Sequence, residues 1–139
     1  MEKKYVLEKG TQIGQLFTDF YTERRTREKR VRLKGYVFLG IFAEKGLGLE
    51  IAAYRTEPSH TWQDKEIWRI RSGRKNMGYL VKEERESNGR RYHYFKGKLD
   101  IGGLMIRINV YPDGKDSEGR DRYRIELTQG IECGIVRLA

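Results

Sequence analysis

Apolar residues alternate with polar ones over stretch after stretch of this chain, the period of strands with one buried face. The pattern is clearest in the C-terminal half. Residues 79–85 predict one strand, and Ser87-Asn88-Gly89 predicts a turn, because Asn and Gly tolerate positive φ. Residues 90–101 place Phe95, Gly97, Leu99 and Ile101 on one face, and Gly102-Gly103 closes a tight hairpin. Residues 104–111 set Ile106, Ile108 and Val110 inward and Arg107 and Asn109 outward. The polar stretch 112–121 predicts a long loop, and residues 122–127 a last strand with Tyr123, Ile125 and Leu127 inward.

The N-terminal half repeats this layout. Ile13-Gly14-Gln15-Leu16-Phe17 resembles Met77-Gly78-Tyr79-Leu80-Val81, and residues 32–37 resemble 94–99. Residues 49–54 resemble 106–111, and 68–71 resemble 123–126, in the same order in both halves. Ile13, Leu16, Phe17, Phe20 and Tyr21 also fit a helical stripe, but the matching segment near Tyr79 has no such pattern, which decides for strand. Glu44-Lys45-Gly46 corresponds to the Gly102-Gly103 turn, and Pro58 and Pro112 fall in equivalent loops, where no ladder donor is needed. Gly35 and Gly97, in mid-strand, predict a bulge or bend that curls the sheet. Residues 4–8 and 131–138 read as short extra strands that cap or close the sheets. The expected fold is all-β, with a β-rich α+β fold as the alternative. It comprises two tandem four-stranded antiparallel meanders packed as a sandwich or partly open barrel. Residues 1–10 form an N-terminal strand or tail, 11–75 the first repeat, and 76–139 the second with its C-terminal strand.

Composition narrows the chemistry. Sixteen aromatics among 139 residues argue against disorder, and no apolar run approaches a membrane span. Met1-Glu2-Lys3-Lys4 leads into no apolar core, so a secretory signal is not expected and a cytoplasmic location is. The single Cys133 makes no internal disulfide and has no paired base in sequence view. His60 stands near Glu57 and Asp64 in a polar loop that the second repeat lacks, and His93 lies in a strand. Asp113 to Glu118 lacks calcium-loop spacing, and Gly73-Arg74-Lys75 lacks the phosphate-loop pattern. No catalytic residue, metal ligand or cofactor is assigned, and an enzyme is the least supported class.

Charge is more informative. The net charge of +9 divides into +1 for residues 1–10, +6 for 11–75 and +2 for 76–139. Within residues 24–34, Arg24, Arg25, Arg27, Lys29, Arg30, Arg32 and Lys34 face a single acid, Glu28. In the meander this run is the first hairpin loop and the strand after it. Such a hairpin clamps phosphate or carboxylate, which guanidinium binds bidentately, or is simply a solvated tip. Arg69 and Arg71 form a second basic group, with Arg74 and Lys75 beside them. Tyr36 and Phe38 stand where the second repeat has Lys98 and Asp100. They are either buried against the other repeat or a second subunit, or they form, with Tyr54, a platform on which bases stack. Trp68 and Tyr123 are expected in the core.

Gly78-x-Leu80, Phe95-Lys96-Gly97, Ile101-Gly102-Gly103, the 106–111 strand and Gly119 followed by Tyr123-Arg124-Ile125 together resemble a family of small plasmid- and phage-borne β-meander proteins of unknown function, some compared with single-stranded-DNA-binding proteins. The resemblance covers about the last 60 residues well and the first half less well, and the tandem form departs from the usual single copy. It implies a β fold and a mobile-element origin and assigns no catalytic residue. The expected partner is therefore nucleic acid, single-stranded DNA or RNA foremost, with no membrane. The alternative partner is an acidic protein or nucleoprotein surface of a host defence complex, engaged in the manner of an anti-CRISPR protein. A homodimer pairing exposed sheet edges is a third arrangement the sequence allows.

Overall fold

The computed structural model describes residues 2–38, 48–56, 61–62 and 64–137. They contain eleven strands and no helix: β1 (Glu2–Leu7), β2 (Gln12–Thr22), β3 (Lys29–Val37), β4 (Leu49–Arg55), β5 (Thr61–Trp62), β6 (Lys65–Ser72), β7 (Lys75–Ser87), β8 (Arg90–Ile101), β9 (Leu104–Lys115), β10 (Asp121–Leu127) and β11 (Ile131–Arg137). Eight of them, β2, β3, β4 and β6 to β10, form an antiparallel meander. It closes into a barrel because β10 pairs with β2 and β4 pairs with β6. Of the two packings expected, the barrel forms, and it is closed. The short β5 adds to β6. The two ends of the chain pair with each other as a separate β1–β11 ribbon rather than extending either repeat.

Alternation builds the core. Leu16, Ile51, Ile70, Leu80, Leu99, Ile106, Ile108 and Ile125 are almost wholly buried, and the described residues bury no polar or charged side chain. Eight strands leave an interior just wide enough for side chains, and here these residues fill it. Trp68 and Tyr123, as expected, are core residues and flank Phe95 edge-on, at centroid distances of 5.8 and 6.1 Å. Burial pushes the Tyr123 phenol above its usual pKa.

The two halves pair in the same register. Gly14 faces Val37 as Gly78 faces Leu99, and Leu16 faces Gly35 as Leu80 faces Gly97. Across the seams, Trp68 faces Leu80 and Ile70 faces Gly78, just as Tyr123 faces Leu16 and Ile125 faces Gly14. The register shifts are equivalent too, at Ile70/Arg71 and Ile125/Glu126.

Three local expectations are corrected. Gly35 and Gly97 sit in unbroken ladders, not at bulges. Their role is close approach: a Cβ on Gly35 would lie 1.9 Å from the Gln15 carbonyl oxygen, and one on Gly97 2.1 Å from that of Tyr79. Residues 112–121 are not one long loop, because β9 continues to Lys115 and only residues 116–120 turn. Pro112 accordingly lies in a strand. It is tolerated there because the β9–β10 ladder is irregular between Asp121 and Tyr123, so a backbone donor can be missing. Pro58, His60 and the 44–46 turn lie outside the described residues. The Asn88-Gly89 and Gly102-Gly103 turns take the positive φ values expected of tight hairpins.

Gly35→Ala and Gly97→Ala each force two backbones apart. Each is expected to cost about 1–3 kcal/mol, read as an earlier midpoint in chemical denaturation.

Candidate nucleic-acid interface

The β2–β3 hairpin outgrows the barrel. β2 pairs with β10 only from Gln12 to Phe17, and β3 pairs with β4 only from Arg32 to Val37. Residues 20–22 and 29–31 therefore pair only with each other, as a two-stranded ribbon beyond the barrel ladders. Its turn is held by Glu23. The Arg27 N–H donates to the Glu23 carbonyl at 2.9 Å, the Thr26 hydroxyl donates to the Glu23 carboxylate at 2.9 Å, and Arg27 takes φ of 58°. Arg30 binds the carboxylates of both Glu23, at 2.9 Å, and Glu28, at 3.5 Å. Both nearby acids are thus engaged. Arg24, Arg25 and Arg27 stand exposed on the turn, with no ion pair among the described residues. Three cations crowded on one tight turn repel one another, and an anion at the tip would relieve that repulsion.

The ribbon has two unlike faces. On one, Phe20 and Val31 are cross-strand partners, 54% and 41% exposed, with the Lys29 ammonium 4.6 Å over the Phe20 ring. On the other, Arg32 donates to Asp19 at 2.7 Å and to the Tyr54 hydroxyl at 2.9 Å. Partial burial pushes the Asp19 carboxyl up, but the Arg32 hydrogen bond and charge outweigh it and hold its pKa below the usual value.

From Arg32 a cross-strand row runs along the outer wall. Arg32 lies opposite Tyr54, Tyr54 opposite Arg69, Arg69 opposite Tyr79, Tyr79 opposite Lys98, and Lys98 opposite Arg107. Register partners in antiparallel strands share a face, and the buried Trp68, Ile70 and Leu80 beside them show that this face points outward. Five strand spacings make the row about 24 Å long, measured around the barrel over six of its eight strands. Lys34, Arg71 and Lys96 flank it.

The row thus joins Arg32, Tyr54 and Arg69, with Arg71 alongside. It adds Tyr79, Lys98 and Arg107, which no charge run or aromatic cluster in the sequence marks as part of a site. Alternation had placed the last two outward, but only the strand pairing aligns them with Arg69. Tyr36 and Phe38 lie elsewhere, toward the opposite end of β3 from the ribbon tip. They pack edge-on to each other at 4.9 Å, and Tyr36 is 38% exposed, so the other repeat does not bury it. Trp62 lies in β5, outside the row.

The equivalent row of the other half differs. Tyr94 is buried and stacks on Tyr111 at 5.5 Å, with Arg85 over the one ring and Arg124 over the other. Arg124 is held by Glu126 and the row continues to Gln15, Tyr36 and Glu50. Its rings and its cation already have partners within the chain.

Among the described residues no group of three His, Cys, Asp or Glu side chains is placed to hold a metal ion. No helix is long and apolar enough to cross a membrane. Comparisons with family models, curated proteins and solved structures find no match to this chain.

The lowered Asp19 pKa sets a pH dependence. A depressed carboxyl contributes stability above its unfolded pKa, near 3.8, and loses it as pH falls through the folded value. Asp19→Asn should therefore lower stability at neutral pH by about 0.5–1 kcal/mol. In thermal melts from pH 7 downward, the gap from the wild type should close below that window.

Proposed function

We propose that this chain is a nucleic-acid-binding protein that grips phosphates with the β2–β3 ribbon. The observation that carries the reading is the tip itself: three exposed arginines without ion pairs among the described residues, on a turn that extends past the β2–β10 and β3–β4 ladders. A two-stranded ribbon is narrow enough to approach a nucleic-acid groove or backbone, and guanidinium matches phosphate bidentately. Lys29 extends the positive surface on one face of the ribbon, and Arg69 and Arg71 carry it on the wall, while Arg30 and Arg32, ion-paired within the chain, order the ribbon between them. The barrel interior is filled by side chains, so binding is assigned to the outer surface. The reading makes the protein a binder rather than an enzyme, acting without cofactor. The resemblance to mobile-element proteins agrees with it and supplies the proposed origin and cytoplasmic setting.

Arg24→Ala, Arg25→Ala and Arg27→Ala combined should leave the melting temperature unchanged, because none of the three side chains packs on the barrel. Affinity for labelled oligonucleotides should fall at least tenfold in fluorescence anisotropy. The slope of log affinity against log salt should flatten by about 2. A triple variant with unaltered affinity and slope would remove the ribbon from the site. Binding only to a protein partner that survives nuclease treatment would favour the acidic-surface alternative.

A further inference from the structure

We infer that the ligand is a single strand, and that it leaves the ribbon to run along the Arg32–Tyr54–Arg69–Tyr79–Lys98–Arg107 row. This rests on the nucleic-acid reading above and deepens it. A single strand differs from a duplex in offering base faces as well as phosphates. The row offers the complement to both, cations alternating with rings.

Three features set this wall apart from the rest of the barrel. First, its cations are available. Arg69, Lys98 and Arg107 make no ion pair among the described residues, and only Arg32 is held, by Asp19. Second, its central ring is available. Tyr79 is 43% exposed, has no stacking or cation partner among the described residues, and borders a shallow hollow on each side. Tyr94 and Tyr111, in the equivalent row, are instead sandwiched between Arg85 and Arg124. Third, the two rows occupy equivalent places in one frame, so differences between them are not imposed by the barrel. Equivalent positions carry Lys98 and Tyr36, Arg107 and Glu50, and Tyr79 and Gln15. Only one row combines free cations with a free ring.

In this arrangement Tyr79 stacks a base, while Tyr54, packed on Tyr21 and tied through its hydroxyl to Arg32, positions that arginine. Arg69, Lys98 and Arg107 hold the phosphates on either side. DNA and RNA single strands share this chemistry.

The test is anisotropy of the full chain with labelled DNA and RNA single strands and a duplex, each about 15 residues long. Tyr79→Ala should weaken single-strand binding about tenfold, and Tyr79→Phe should restore it. Lys98→Ala with Arg107→Ala should flatten the single-strand salt slope by about 1.4, whereas Arg124→Ala in the equivalent row should leave it unchanged. Melting curves establish that each variant is folded. The comparison of the DNA and RNA arms identifies which strand is preferred. If the ribbon triple variant loses binding while Tyr79→Ala and the Lys98/Arg107 variant bind like the wild type, the row is overturned and the ribbon reading stands. Duplex binding as tight as single-strand binding and insensitive to Tyr79 also overturns it. If the wild type binds none of the three probes, the nucleic-acid reading itself fails.

Discussion

Closing eight strands around a solid interior brings neighbouring backbones into close approach at a few positions. Four glycines occupy such positions in two equivalent pairs, Gly14 with Gly35 and Gly78 with Gly97. At each, a Cβ would lie within 2.3 Å of a carbonyl oxygen on the neighbouring strand. The seam pairings, the placement of Trp68 and Tyr123 around Phe95, and the outward aim of every second residue all depend on that closure. Because core side chains already fill the interior, the candidate site lies on the outside of the barrel.

The second consequence is a pair of equivalent outer walls on one frame. Matching positions share backbone geometry and inward neighbours, so their outer side chains are free to diverge without disturbing the core. On one wall Arg85, Tyr94, Tyr111 and Arg124 stack into a self-contained column. On the other, Arg69, Lys98 and Arg107 have no ion pair and Tyr79 has no ring or cation partner among the described residues. The β2–β3 ribbon and its counterpart, the end of the β7–β8 hairpin beyond the β6–β7 ladder, diverge in the same way. Phe20 and Val31 of the first correspond in register to Glu84 and His93 of the second, so the apolar pair and the arginine tip occur together on one ribbon only. Chemical asymmetry on a repeated frame is what singles out the candidate site.

Ion pairing decides which cations matter. Arg30, Arg32 and Arg124 each belong to a local arrangement with a carboxylate and help to order the surface. Such pairs contribute little stability at the surface. Their larger effect is selective: they satisfy some arginines and leave others, at the turn and along the wall, without an anion.

Alternation along the chain determined the strands, their inward faces and the hairpin turns at Asn88-Gly89 and Gly102-Gly103, because side-chain period and positive φ are local properties. The order of matching blocks determined that 13–22 is a strand, where helical spacing competed. It also located the arginine run on the first hairpin. Other features were not legible, because they depend on residues distant in sequence. Pro112 sits in a strand because an irregular ladder with β10 excuses its missing donor. Gly35 and Gly97 are required by a neighbouring carbonyl, not by a bulge. Tyr79, Lys98 and Arg107 line up with Arg69 only through the pairings of β6, β7, β8 and β9. A strand's own sequence states which face a residue takes. Which residues stand beside it across the sheet is decided by register and closure, and that is where the candidate site was assembled.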